Sequence, residues 1–364
     1  MPSIEERIRE IEDEIRRTPY NKATQKHIGK LKARLARLKE AAARPKGGRV
    51  TSDIEKSGDA TVALVGFPSV GKSTLLNQIT EASSRVGSYD FTTLKAVPGL
   101  LTHKGAKIQL LDLPGLTRGA SQGRGRGREV LSKARIADLL LLMIDVRRRD
   151  LDVLVAELRA SGIRVNENPP KLSIHRRDRG GIDISFVAQP QEMNAETVKE
   201  MMREWGTINA ELVVMEKLTE ERLIDFLAGN RVYVPGIVVL NKVDLLKREE
   251  VAELLQHLGG WTALPISAKE GSGLKQLLET VYARLSLIRV FLRPPGGKAV
   301  REEPLVMKEG ARVSDVCRVI HGDLVKNFRY AQVWGPSAKF PGQMVGMNHP
   351  LEEGDRITIV ARRG

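Results

Sequence analysis

The sequence predicts an α/β protein: a doubly wound, largely parallel sheet, preceded by a helical hairpin, interrupted by an inserted α+β subdomain and followed by a small α+β domain. Three observations carry this. Short apolar, β-branched runs recur at Ala60 to Val65, Ile108 to Leu111, Leu139 to Ile144 and Gly236 to Leu240, as buried parallel strands do. Helical patterns lie between several of them, after Lys72 and from Glu249 to Leu258. At 364 residues the chain is longer than a single core usually fills.

Residues 1–48 form the expected hairpin. Ile4, Ile8, Ile11 and Ile15 step by four and three, and Ile28, Leu31, Leu35 and Leu38 repeat the stripe. Thr18-Pro19 separates the two, because proline lacks the N–H and disfavours helix in the residue before it. The second helix carries Lys22, Lys26, Lys30, Lys32, Arg34, Arg37 and Lys39, which serve equally well as a nucleic-acid contact or a solvated face. The doubly wound domain takes residues 59–146 and 236–287. Between them, 147–235 is too long for an ordinary connection and reads as the inserted subdomain. In it, Leu172 to His175 and Ile182 to Phe186 alternate around Arg179-Gly180-Gly181 as a hairpin would, and Ala195 to Trp205 follows as a helix. His175, Arg176, Arg177 and Arg179 gather near that tip, as a phosphate contact or as an exposed loop. Residues 288–364 read as the last domain, with strands at Ile288 to Leu292, Tyr330 to Trp334 and Ile357 to Val360 and a helix from Val313 to Ile320.

Lys and Arg number 59 against 45 Asp and Glu, a net charge of +14 that favours a polyanionic partner. Cys317 is the single cysteine, so an intrachain disulfide is excluded and a reducing, cytoplasmic setting fits. The longest apolar run falls far short of the roughly 20 residues that cross a bilayer, so no membrane partner is expected.

The chemistry sits in loops after the strands. Gly66-Phe-Pro68-Ser69-Val70-Gly71-Lys72-Ser73 has the phosphate-loop spacing between a strand and a helix. The loop from Gly66 through Thr74, with the backbone N–H groups that it has on either side of Pro68, would cradle phosphates. Lys72 would neutralise their charge, and the Ser73 hydroxyl would hold Mg2+. Asp112-Leu-Pro-Gly115 follows the next strand, so Asp112 can reach the metal and the Gly115 N–H can face a γ-phosphate. Between them, Phe91-Thr92-Thr93 offers hydroxyls for a second metal contact, and Thr93 is the preferred one. Asn241-Lys242-Val-Asp244 decides the base, because a carboxylate accepts both the ring N–H and the exocyclic amine of guanine. Adenine presents no such pair. Ser267-Ala268-Lys269 would hold the guanine carbonyl through backbone N–H groups.

These five elements, in this order, resemble those of the translation-factor-related P-loop GTPases. Gly87 to Leu94 and Asp112 to Ala120 are similar to the switch segments of the Obg group. Asn21-Lys-Ala-Thr24, Lys56-Ser-Gly-Asp59 and Gly66 to Thr74 resemble signatures of the developmentally regulated GTP-binding (DRG) family over essentially the whole chain. The resemblance implies a ribosomal-protein-S5-like fold for the insertion and a ubiquitin-like TGS module for the tail, where Tyr330-Ala-Gln-Val-Trp-Gly335 is the most telling segment. Contact with the ribosome or ribosomal RNA is implied by analogy.

A Mg2+-dependent GTPase switch, cycling between GTP and GDP as a monomer, is therefore expected. The alternative is a nucleotide-regulated scaffold in which hydrolysis is incidental. The residue after Gly115 is Leu116, which cannot orient water, so the intrinsic rate should be low. Ser69 stands where many relatives that depend on a monovalent cation have asparagine, which leaves K+ open but unsupported. A dedicated stabilising protein partner is likewise left open. Gly123 to Arg128, alternating glycine and arginine, suits a switch whose glycines permit rearrangement, or an RNA contact.

Overall fold

The computed structural model describes residues 3–21, 24–43, 58–83, 97–115, 119, 133–148, 150–189, 192–294 and 303–362. They fall into two compact units: Met1–Ser52 with Gly162–Tyr233, and Asp53–Ser161 with Val234–Gly364.

The first unit joins the N-terminal hairpin to the insertion. Helix α1 (Ile4–Arg17) begins at a capping box in which Ser3 and Glu6 exchange side-chain-to-backbone hydrogen bonds. Helix α2 (Gln25–Ala43) begins where the Thr24 N–H donates to Asn21 Oδ1 and the Asn21 N–H to Thr24 Oγ1, which gives the Asn21 to Thr24 signature its physical content. The insertion supplies β5 (Ile163–Val165), β6 (Leu172–Arg176), β7 (Ile182–Phe186), α5 (Ala195–Glu204), β8 (Ala210–Val214), α6 (Glu220–Ala228) and β9 (Val232–Val234).

Strands β6 and β7 do not form the expected hairpin. Strand β8 lies between them, antiparallel to β6 and parallel to β7. A parallel pair needs a crossover, and α5 provides it, packing Val198, Met201 and Met202 on the apolar face of the sheet. Helix α2 meets the same core: Ala33 is fully buried in it. At Gly29 a Cβ would come 2.8 Å from Thr197 Cγ2, so only glycine lets the two helices approach this closely.

The basic stripe of α2 is largely engaged within this unit. Lys26 lies 3.5 Å from Glu200, Lys30 3.6 Å from Glu204, Lys32 2.5 Å from Glu220 and Lys39 2.6 Å from Glu12. Arg37 donates to the Glu204 carbonyl, while Lys22 lies outside the described residues. Arg177 of the predicted basic tip likewise pairs with Glu211 and Asp183.

In the second unit, β1 (Ala60–Gly66), α3 (Lys72–Ser83), β2 (Val97–His103), β3 (Ala106–Asp112), β4 (Leu139–Asp145), α4 (Leu151–Ala160), β10 (Gly236–Asn241), α7 (Arg248–His257), β11 (Ala263–Pro265) and α8 (Leu274–Arg284) build the doubly wound domain. Its sheet runs β11-β10-β4-β1-β3-β2, parallel except for β2. Helix α4 belongs here through buried Leu151, Leu154 and Leu158, so the insertion separates at Gly162 rather than at residue 147. The Lys56 to Asp59 signature ends in a latch, where Asp59 Oδ2 accepts the Lys107 N–H at 2.7 Å and ties the entrance of β1 to β3.

The tail contributes β12 (Leu287–Leu292), β13 (Leu305–Lys308), α9 (Val313–Ile320), α10 (Gly322–Lys326), β14 (Phe328–Trp334), β15 (Gln343–Val345) and β16 (Arg356–Ala361). The sheet order is β13-β12-β16-β14-β15, with β12 parallel to β16 and the other pairs antiparallel. Val290, Val313, Val316, Cys317, Ala331, Val333 and Ile357 form its core, all fully buried. This is the ubiquitin-like α+β arrangement, one helix-bearing face packed and one face left outside. Among the described residues, no helix is long and apolar enough to cross a membrane.

Candidate nucleotide site

Because β1, β3, β4 and β10 run parallel, their carboxyl ends bring four loops to one edge of the sheet, the place where doubly wound folds bind ligands. The loop after β1 turns tightly. Gly71 has φ +94°, and a Cβ there would come 2.3 Å from the Asn241 amide nitrogen. Ser69 also lies in the left-handed region, at φ 65°.

Lys72 is buried and donates to the Gly66 and Phe67 carbonyls, both at 3.1 Å. Burial pushes its ammonium below the ordinary lysine value, and the Asp112 carboxylate pulls it partly back up. In this state the lysine holds its own loop. Pro68, Ser73 and Thr74 are exposed, and Val70 is buried beneath the loop.

Ser73 Oγ donates to Asp112 Oδ2 at 2.6 Å, which joins the first turn of α3 to the end of β3. The other carboxylate oxygen, Asp112 Oδ1, is buried with no hydrogen-bond partner. A hydroxyl beside a half-satisfied buried carboxylate is a donor set for a hard cation, so these two residues fit Mg2+. Gly115 lies against the phosphate loop, where a Cβ would come 2.8 Å from Pro68 N. Thr93, Leu116 and the Gly123 to Arg128 segment lie outside the described residues.

At the other end, Asn241 is buried and acts as a clamp. Its Nδ2 donates to the Val70 carbonyl at 2.8 Å and its Oδ1 accepts the Ala268 N–H at 2.9 Å. Both halves of its amide are therefore engaged with neighbouring loops. The Ala268 N–H, expected to face a guanine carbonyl, meets Asn241 instead. Ser267 closes its own loop, its N–H on Ser272 and its Oγ accepting from Glu270. Lys242, at φ 67°, donates to the Ser69 carbonyl at 2.8 Å and to Asp145 at 2.6 Å. Asp244 follows in a short 3-10 turn, Val243–Leu245, with an exposed carboxylate that has no partner among the described residues. That carboxylate is free to receive two N–H donors.

Sequence reasoning missed Asp145. Burial favours its neutral form, but hydrogen bonds from Lys242 and the Arg147 N–H hold its carboxyl below the usual range. The signal was present, since Asp145 ends an apolar strand as Asp112 does. A cavity of about 320 Å³ backs onto Asp145, lined by Leu151, Leu254, Leu258 and Trp261. Neither Lys72 nor Asp244 lines it, so it is not the place of the phosphates or the base.

Residues 61–176 match the model of a family described as 50S ribosome-binding GTPase, residues 179–287 match the C-terminal region of that domain, and residues 288–361 match the TGS domain. An uncharacterized GTP-binding protein of Methanocaldococcus jannaschii is 52% identical, over 99% of this chain and 93% of its own. Developmentally-regulated G-protein 3 of Arabidopsis thaliana is 42% identical over 100% of both chains. Developmentally-regulated GTP-binding protein 1 of Xenopus laevis is 42% identical over 98% of each.

Proposed function

The chain belongs to the developmentally regulated GTP-binding protein family and is a GTPase, and from that premise we propose that it is a slow, Mg2+-dependent switch acting on the ribosome or another structured RNA. The observation that carries the nucleotide reading is the Asn241 clamp. It ties the phosphate loop, the Asp244 turn and the Ser267 to Lys269 loop into one frame, with the free carboxylate of Asp244 where guanine donors can meet it. Asn241 is then a positioning residue, and Asp244 reads the base.

In this mechanism Lys72 leaves the Gly66 and Phe67 carbonyls to neutralise the β- and γ-phosphates. Ser73 and Asp112, with Thr93, would hold Mg2+, which when bound neutralises charge on the phosphate oxygens. The Gly115 N–H faces the γ-phosphate, and the absence of any side chain there lets the segment approach Pro68. Leu116 offers no hydrogen-bonding atom to the attacking water. Turnover by the chain alone is accordingly low and rises when a partner completes the site.

The description of the matched family as 50S ribosome-binding supports the choice of partner, as does the net charge of +14. Steady-state GTP turnover by the purified chain, with and without ribosomes, tests the reading. Stimulation by ribosomes is expected. Equal turnover would leave the nucleotide-regulated scaffold as the better account. Turnover in KCl and in NaCl at matched ionic strength tests the monovalent cation, and equal rates would remove K+ from the mechanism.

A further inference from the structure

The tail sheet has one face that its own core does not use. In β14, Ala331 and Val333 point inward and are fully buried, so Tyr330, Gln332 and Trp334 point outward. Register aligns the outward residues across strands: Phe291 of β12 stands opposite Arg356 of β16, and Arg356 stands opposite Trp334 of β14. Aromatic, arginine, aromatic thus form one row over three strands. Two residues beyond Phe291, the Arg293 guanidinium lies 4.4 Å from the centre of the Trp334 ring. Arg329 lies 5.9 Å from the Tyr330 ring, and Met344, opposite Gln332, is 62% exposed. Arg356 is exposed and has no ion-pair partner among the described residues. None of the outward strand residues from Arg289 to Arg293, Tyr330 to Trp334 or Arg356 to Val360 is acidic, and Glu353, at the margin, is paired with Arg289.

We infer that this face binds single-stranded RNA by stacking bases on Trp334 and Phe291, with a phosphate between them on Arg356. The inference rests on the reading that the partner is RNA, and it names the surface and the form of RNA it takes. Strands two apart lie roughly 10 Å from each other, so the two rings are too far apart for neighbouring bases stacked at about 3.4 Å. Each ring takes its own splayed base, which a duplex cannot supply. The Arg293 guanidinium lies over the indole and adds a cation to that platform, while Gly342 packs against the Nε1 side of the ring. A protein partner would be served by a contiguous apolar patch. Here cations interrupt the aromatics and no strand carboxylate opposes them, which is the composition of a stacking platform set in a positive field.

The test uses the full chain and a fluorescein-labelled single-stranded RNA of about ten nucleotides, with a hairpin duplex of the same composition as comparison. Binding is read by anisotropy, and by quenching of tryptophan emission in a variant that keeps Trp334 while Trp205 and Trp261 are phenylalanine. Single-stranded RNA is expected to bind more tightly than the duplex and to quench Trp334. Trp334→Ala and Arg356→Glu should each weaken it by about tenfold or more, and Trp334→Phe by much less. Because Trp334→Ala can disturb the fold, Arg356→Glu, at an exposed and unpaired position, is the deciding variant, with basal GTP turnover unchanged as its control. Equal binding by wild type and Arg356→Glu, or no quenching of Trp334, overturns the inference. Co-sedimentation with ribosomes is measured in parallel. If wild type and Arg356→Glu sediment equally, the ribosome reading stands and this surface assignment fails. If neither sediments and single-stranded RNA does not bind, the broader reading fails with it. Loss of ribosome association in Arg356→Glu without any binding of free single-stranded RNA would assign the face to a protein and overturn the proposal.

Discussion

In β1 and β4 every residue is buried, whereas along β14 burial alternates from one residue to the next. All three strands have a neighbour on either side, yet the two sheets leave polar chemistry in different places. The doubly wound sheet is covered on both faces, so its functional groups occupy the loops at the strand ends: Lys72, Asp112, Asp145 and Asn241 all stand at or just beyond a carboxyl terminus. The tail sheet packs its hydrophobic core on one face only, although Thr358 and Leu287 on the other are also buried. Its open face keeps Phe291, Tyr330 and Trp334 outside a core that is complete without them. Burial pattern alone therefore says where each sheet can meet a ligand, at an edge in one and across a face in the other.

The strongest way to break this contrast is to place polar groups on neighbouring residues of β4. Leu140→Gln and Leu141→Gln point to opposite faces, and both should cost about 3 kcal/mol or more in chemical denaturation. One tolerated substitution would mean that a face of the sheet is open. Lys72→Met comes next. It should lower GTP turnover by about a hundredfold or more. The melting temperature of the nucleotide-free protein should not fall, because folding already disfavours the charged form of Lys72. Asp244→Asn should weaken GTP by roughly a hundredfold and favour xanthosine triphosphate, whose ring N–H and carbonyl match an amide. Competition for a fluorescent guanine nucleotide measures this, and equal loss of both nucleotides would remove Asp244 from base recognition.

Lys242→Met sharpens the edge half of the comparison through pH. The folded-state carboxyl of Asp145 lies below its ordinary value of 3.8, so the stabilisation is fully present above that value and is lost as pH falls from there through the lower folded-state value. Wild type should exceed the variant by about 1 kcal/mol at pH 7, and the gap should close below roughly pH 4. The smallest effect belongs to the open face. Met344→Gln should change stability by less than about 0.5 kcal/mol, since the side chain is 62% exposed.

Much of the edge was legible in the sequence because phosphate and guanine chemistry demand particular residues at particular spacings. Strands ending at Gly66, Asp112 and Asn241 are where the apolar runs place them. The order of strands in the insertion was not legible. An alternating apolar pattern in β6 and β7 is the same whether they pair with each other or with β8, and only the crossover through α5 decides. The fate of the α2 lysines was hidden for a related reason. Lysine at helical spacing looks alike facing water or facing Glu200, Glu204 and Glu220, which lie far along the chain. Asn241 carried its signature but not its partners, since nothing in its spacing tells that its amide meets Val70 and Ala268.

Helix α2 finds those carboxylates late. Arg231 closes on Glu40 across 191 residues of chain, and the buried Ala33 belongs to a core whose other members begin at Ile182. At about 5–20 residues per second, synthesis leaves the helix without that core for on the order of ten to forty seconds. Throughout that interval Lys26, Lys30 and Lys32 have no Glu200, Glu204 or Glu220 to meet. The order of translation thus holds a basic helix uncompensated until the carboxylates that the finished fold sets against it have been made.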